Sequence, residues 1–255
     1  MNIATWNVNS LNVRLPHVLQ WLETHQPDVL ALQEIKLVDE KFPLSEINAA
    51  GYQAIFSGQK TYNGVAILSK IASTEMAKGI ANYVDEQQRV LAATINDIRV
   101  INVYVPNGQS VDSDKYHYKL TWLEHLHAYL TEQIARYPKL VILGDFNIAP
   151  GDEDVHDPVL WEGQVLCSEP ERMALQKLCS AGLTDSFRLF AQPEKSFSWW
   201  DYRAAGFRRN LGLRIDHILV TEALAKTCKQ VIIDKVPRGW ERPSDHAPVM
   251  AEFAI

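Results

Sequence analysis

The chain has 255 residues, 47% of them hydrophobic and 22% charged, with a formal net charge of −6 at pH 7. That composition can bury a sizeable core and excludes a disordered tail. No apolar run approaches the roughly 18 residues needed to span a bilayer, the start Met1-Asn2-Ile3-Ala4 lacks a basic region ahead of an apolar stretch, and Cys167, Cys179 and Cys228 form no CxxC pair. These features predict a cytoplasmic protein without disulfides and without membrane contact; it is expected to be monomeric, although none of them reads on oligomeric state.

In chain order, a strand runs from Ile3 to Asn7, and a helix is predicted over Asn12–Thr24 with Pro16 near its first turn. Asp28–Gln33 has buried-strand length. Pro43–Ala50 reads as a helix closed by Gly51. Strands are predicted at Gln53–Ser57, Gly64–Ser69, Val90–Asn96 and Ile98–Val105. Residues 114–136 carry the clearest helical period, through Tyr116, Leu120, Leu123, Leu130 and Ile134. Leu140–Leu143 reads as a buried strand stopped by Gly144, and Arg172–Ala181 as a helix ending at Gly182. Ile215–Val220, Val231–Val236 and Ala247–Phe253 close the chain as strands. Interspersed strands and helices, with no low-complexity linker, predict one α/β domain over residues 1–255 with mixed sheets.

The negative net charge argues mildly against a nucleic-acid partner, but its distribution weakens the objection. Asp145–Glu171 contains eight acids and no Lys or Arg, whereas Lys195–Arg214 contains five basic residues and one acid. Cations and phosphates could be held at different places; two solvated surface loops are the plainer alternative.

Five short segments put Asp, Asn, Glu or His at the end of, or inside, an apolar run: Trp6-Asn7-Val8-Asn9, Leu32-Gln33-Glu34, Leu143-Gly144-Asp145-Phe146-Asn147, Arg214-Ile215-Asp216-His217-Ile218 and Ser244-Asp245-His246-Ala247-Pro248. Strand ends are where rigid scaffolds present catalytic groups. Taken singly, each has a plainer reading. Gly-Asp-Phe-Asn could be a turn, Asn7 and Asn9 could cap a helix, Glu34 could pair with Lys36, and His246 could be structural. Their joint occurrence is harder to dismiss. The chain has no HExxH, GxSxG or Walker pattern. What remains is hard oxygen donors plus histidine, a set that suits Mg²⁺, with Mn²⁺ as a substitute, and metal-assisted phosphoryl hydrolysis.

These segments, with Tyr104-Val105-Pro106-Asn107-Gly108 and Trp200-Asp201-Tyr202-Arg203, occur in the order that resembles the exonuclease III family of abasic-site endonucleases, within the endonuclease/exonuclease/phosphatase superfamily. The resemblance implies a four-layered α/β sandwich, two packed and mostly antiparallel sheets flanked by helices. It implies Glu34 as main metal ligand, with Asn7 and Asp245 assisting. Asp145 would align and activate water, and Asn147 would hold that water or a phosphate oxygen. His246 would donate to the phosphate, oriented by Asp216, with Tyr104 on the leaving side. Trp199, Leu213 and Ile215 would line a pocket for a base-free sugar, with Asn107, Arg203, Arg208 and Arg209 on the DNA. The implied substrate is double-stranded DNA with abasic sites or damaged 3′ ends. Asn9 stands where some relatives carry Asp, and Ile35 where Thr is common. The loop Glu162–Arg172, with Cys167, matches no pattern. A lipid or inositol phosphatase and a non-catalytic DNA-binding module are the rival readings. The basic, aromatic 195–214 segment opposes the first, and the complete set of polar residues the second.

Overall fold

A computed structural model describes residues 1–255. In chain order it contains β1 (Asn2–Asn7), α1 (Leu11–His25), β2 (Val29–Gln33), α2 (Leu44–Ala49), β3 (Gln53–Ser57), β4 (Val65–Ser69), β5 (Thr74–Lys78), β6 (Val90–Ile95), β7 (Ile98–Tyr104), α3 (Asp114–Arg136) and β8 (Leu140–Asp145). Then follow α4 (Pro158–Trp161), α5 (Glu169–Ser180), β9 (Leu183–Asp185), β10 (Trp199–Trp200), β11 (Gly212–Leu213), β12 (Asp216–Thr221), α6 (Glu222–Ala225), β13 (Cys228–Ile233) and β14 (Val249–Phe253).

Two six-stranded sheets have the orders β13-β14-β1-β2-β4-β3 and β5-β6-β7-β8-β12-β9. Only β1–β2 and β7–β8 run parallel; every other pairing within them is antiparallel. The two parallel pairs are the ones joined through helices α1 and α3, as a parallel crossover requires. The sheets pack face to face, with helices outside: an α/β sandwich.

The period-two alternation explains the layers. Ile3, Val29, Ala31, Val141, Leu143, Ile218 and Val220 point into the cluster between the sheets. Their strand neighbours Leu140, Ile142 and Leu219 point outward against α3 and α5, and Ala4, Trp6, Leu30 and Leu32 against α1 and α2. Both faces are covered, so the central strands read as unbroken apolar runs. Each such side chain contributes about 1.5–3 kcal/mol by burial.

Polar residues stitch the sheets together. Gln33 Nε2 donates to Thr5 Oγ1 at 2.9 Å and across to Asn102 Oδ1 at 2.8 Å. Asn102 Nδ2 donates back to the carbonyls of Leu32 and Ala66. These bonds pin the register of the two sheets. A second network lies beneath β12. Arg214, 1% exposed, pairs with Asp154 at 2.6 Å and Asp185 at 2.8 Å. His217 is buried beside it, with Nε2 at 2.8 Å from the Ile148 carbonyl. Thus the acidic and basic stretches of the sequence partly neutralise one another, and Arg214 is structural.

The structure revises several predicted boundaries. Gly144 does not stop β8, which runs on to Asp145. A Cβ there would lie 1.9 Å from the Val103 carbonyl oxygen, and φ is +147°. Glycine therefore lets β8 lie close against β7 just before Asp145. α5 starts at Glu169, because Ser168 caps it and Glu171 reaches back to the Ser168 N–H at 3.2 Å. The strand predicted at Val231–Val236 is Cys228–Ile233, and that at Ala247–Phe253 begins at Val249, past Pro248, which has no N–H to pair. β5, Thr-Glu-Met-Ala-Lys, was not expected: it is a mostly exposed edge strand without alternation.

Gly144→Ala should destabilise the protein by about 3 kcal/mol or more, read by urea unfolding; a loss below about 1 kcal/mol would contradict the close approach. Burial, then the Arg214 charge, hold the His217 imidazole below its ordinary value of 6.5. The unfolded chain therefore binds a proton below about pH 6.5 that the folded chain refuses, and stability falls as pH drops through that range, by up to about 1.4 kcal/mol per pH unit. His217→Gln should flatten the fall between pH 7 and pH 5 relative to wild type.

Candidate active site

The polar strand ends meet at one edge of the sandwich. β1 and β2 are parallel, so Asn7 and the residue after Gln33, Glu34, emerge together. In the facing sheet, register pairs Tyr104 with Asp145 and Asp145 with Asp216, one row across β7, β8 and β12. His246 arrives on the segment before β14, whose Trp199 bridge and Trp6 Nε1 bond to the His246 carbonyl fix it in place. One ligand atom each from Glu34, Asp145 and His246 lies within 4.8 Å of the others.

Hydrogen bonds define how each group faces. Asn7 Nδ2 donates to Glu34 Oε1 at 2.9 Å and to Asp145 Oδ2 at 2.8 Å, bridging the sheets. Asp145 Oδ1 accepts the Asn147 backbone N–H at 2.9 Å, and Asn147 Nδ2 lies 3.3 Å from Asp145 Oδ2. Asn107 Nδ2 donates to Asn147 Oδ1 at 3.0 Å. His246 Nδ1 sits 2.9 Å from Asp216 Oδ2, leaving Nε2 to face Asp145 at 3.7 Å. Asp216 Oδ2 also accepts from Ser198 Oγ at 2.6 Å. Glu34 and Asn147 both have positive φ, +52° and +50°. Non-glycine residues hold such angles where surrounding contacts over-determine them, which is typical of functional sites.

The electrostatics follow from burial. Asp145 is 1% exposed, and desolvation raises its carboxyl far above the ordinary carboxylate range; the neighbouring His246 opposes that rise and Asp216 reinforces it. Burial alone would lower the His246 imidazole, but Asp216 and Asp145 overturn that and raise it to about 10, so it stays cationic at neutral pH. Burial, then the charges of Glu34 and Asp145, push the Tyr104 phenol up and keep it a proton donor. The Arg89 guanidinium stacks 4.6 Å over its ring.

Two expected metal ligands, Asn7 and Asp245, are engaged in hydrogen bonds within the site. Asn7 presents its nitrogen to the carboxylates while its oxygen accepts the Asn9 N–H at 3.0 Å. Asp245 directs its oxygens to Asn9 Nδ2 at 2.9 Å and Trp199 Nε1 at 3.0 Å. Neither Asn7 nor Asn9 caps α1, whose cap position is Ser10. Glu34 does pair with Lys36, at 2.7 Å, but inside the site, where Lys36 Nζ also meets Asn9 Oδ1 at 2.6 Å.

Trp199 is half-buried beside the catalytic group, backed by Leu213 and Ile215, 0% and 1% exposed. These two shape the wall from behind and present almost no surface. Leu166, Cys167, Ala149 and Val155 complete that wall, and Trp161 meets Trp199 edge to face at 6.5 Å. The unmatched loop thus packs behind the wall. Leu166 holds φ +76°, strain of about 1–3 kcal/mol. Burial pushes the Cys167 thiol up to about 12, so it packs as a neutral thiol. A cavity of about 800 Å³ opens beyond Cys167, towards α5, and none of Glu34, Asp145 or His246 lines it. Arg203, Arg208 and Arg209 are exposed; Arg203 lies against Asp201 at 2.7 Å. Sequence reasoning offered Lys36 only as a surface partner for Glu34, and missed Arg89, Ser198 and the wall residues Trp161 and Leu166; nothing in a sequence marks a leucine with positive φ.

Comparison with known proteins follows the same lines. Residues 4–246 match the family described as the endonuclease/exonuclease/phosphatase family. Exodeoxyribonuclease III of Haemophilus influenzae is 39% identical, covering 99% of this chain and 100% of that protein. The 3′ phosphatase NExo from Neisseria, solved with a product DNA hairpin, superposes with a TM-score of 0.98 at 49% identity over 100% of both chains. An AP endonuclease from Archaeoglobus fulgidus superposes with a TM-score of 0.96 at 40% identity, also over 100% of both chains. With its two-sheet sandwich and its acidic edge, the chain belongs to the endonuclease/exonuclease/phosphatase family and is a DNA-repair nuclease of the exodeoxyribonuclease III type.

Proposed function

We propose that the chain hydrolyses the backbone of double-stranded DNA 5′ to abasic sites and trims damaged 3′ ends, including 3′-phosphates, with 3′→5′ exonuclease activity, as a cytoplasmic monomer in which all 255 residues form one Mg²⁺-dependent catalytic domain. The observation that carries this reading is the meeting of Glu34, Asp145 and His246, from three distant parts of the chain, within 4.8 Å. The two carboxylates fit a hard divalent cation, with Mn²⁺ as the substitute, and the imidazole stands beside them as a proton donor.

Glu34 and Asp145 would hold the cation, which supplies neutralising charge to the phosphate oxygens. Asp145, fixed by the Asn147 N–H and the Asn7 amide, orients a water and takes its proton. The cationic His246, held by Asp216, donates from Nε2 to a non-bridging phosphate oxygen. Tyr104, kept protonated, donates on the leaving side. Asn7 keeps Glu34 and Asp145 at one spacing. Asp245 holds Trp199 upright, against which a flipped-out, base-free sugar stacks; extrusion costs least where no base is stacked or paired. Arg203, Arg208 and Arg209 grip phosphates and read no base edges, and Asn107, exposed next to Asn147, also meets the DNA.

EDTA should abolish cleavage of an abasic-site duplex and Mg²⁺ restore it; turnover that survives the chelator would overturn the metal assignment. Glu34→Ala should cut kcat by more than about 100-fold at limiting Mg²⁺, with wild-type rates there counting against its ligand role. His246→Asn should lower turnover by about 10³-fold while DNA affinity stays within a few-fold, as gel-shift titration would check. Arg208→Ala with Arg209→Ala should weaken binding of every duplex alike. The slope of log affinity against log salt should fall by about 2.

A further inference from the structure

Lys119 lies on α3 with its ammonium group fully buried, and no step of the reaction uses it. Its partners show what it joins. Nζ donates to the backbone carbonyl of Asn147 at 2.6 Å and of Asn107 at 3.1 Å, and it pairs with Glu171, also fully buried, from α5. Asn147 bonds Asp145 directly, and Asn107 bonds the Asn147 amide.

Glu171 continues the connection. Oε1 accepts the Leu166 N–H at 3.0 Å, and Oε2 accepts the Ser168 N–H at 3.2 Å and hydroxyl at 2.5 Å. Tyr116 of α3 closes the far side, its hydroxyl 2.6 Å from Ser168 Oγ. The Leu166 carbonyl accepts the Ala149 N–H at 2.8 Å, so the loop after β8 and the wall loop are also tied directly. Leu166 is the residue held at φ +76°, and its side chain backs Leu213, Ile215 and Trp199. An unbroken path therefore runs from Asp145 through Asn147, Lys119 and Glu171 to the substrate wall. A buried ion pair is seldom more stabilising than apolar residues of the same volume, so its presence here points to geometry.

We propose that Lys119 and Glu171 are positioning residues for hydrolysis. They lock the loops 105–109 and 146–149, which aim Asn147 at Asp145, to the loop 164–168 behind Trp199, so that the water-activating carboxylate and the sugar-holding wall keep one spacing. The inference rests on the roles given above to Asp145 and Asn147.

The test is steady-state cleavage of an abasic-site duplex together with hydrogen exchange, on wild type, on Lys119→Met combined with Glu171→Gln, and on Lys119→Arg. The double variant removes both charges, so neither is left buried alone. It should lose kcat by about 10- to 100-fold with KM changed by less than about threefold. Exchange should quicken together in 105–109, 146–149 and 164–168 while β7 and β8 stay protected. Lys119→Arg, which keeps the charge and the donors, should recover much of kcat. Wild-type kcat in the double variant would overturn the proposal. So would loss of protection throughout β7 and β8 in step with activity, which marks a plain buttress. A wild type that fails to cleave the duplex would instead overturn the functional reading, and the exchange pattern would still decide whether the pair couples the loops.

Discussion

Four carboxylates, from Glu34, Asp145, Asp216 and Asp245, crowd one mostly buried edge of the sandwich, and their mutual repulsion is the constraint that the site is built around. Like charges this close repel one another and resist desolvation. Each is therefore matched to a donor. Asn7 serves Glu34 and Asp145, His246 serves Asp216, and Asn9 with Trp199 serves Asp245. Lys36 gives Glu34 a positive charge. Removing any one donor would leave a buried anion short of a partner, which is costlier than never having placed it there.

The sandwich supplies the convergence without special loops. Two parallel pairs in sheets packed face to face put the ends of β1, β2, β7 and β8 at the same edge. The antiparallel β12 then enters from that edge, so Asp216 at its start meets Asp145 at the end of β8. The Gln33–Asn102 bond between sheets holds the two halves of the site in step. A slip of one residue in β8 would turn Asp145 to the opposite face. Gly144, which admits the Val103 carbonyl, sits one residue before the carboxylate that can least tolerate it.

The layers were legible because central strands buried on both faces leave plain apolar runs, and α3 leaves a 3.6-residue period that matches its bounds, 114–136. The catalytic group was legible because polar residues interrupt those runs at strand ends. What stayed hidden depends on tertiary partners. β5 is an edge strand defined by hydrogen bonds to β6 and carries no pattern of its own. Arg214 read as part of a basic stretch, yet its charge is spent on Asp154 and Asp185, far away in sequence. Asn7 and Asp245 were legible as site residues but not in their orientation, since an amide can turn either end to a carboxylate and a carboxylate can face either a cation or an indole N–H.

That difference in orientation bears on how the site treats its cation. Asn7 and Asp245 face each other's neighbours through Asn9, whose N–H binds Asn7 and whose amide binds Asp245, with Lys36 on its oxygen. An aspartate at position 9 would add a further negative charge to this group and could not donate to Asp245. A neutral amide there satisfies Asp245 and accepts from Lys36 at once, so the protein's own ammonium sits between Glu34 and Asn9. The chain thus balances the outer half of its acidic edge with side chains and leaves Glu34 Oε1 and Asp145 Oδ2, joined by Asn7, as the inner half where an added cation gains most.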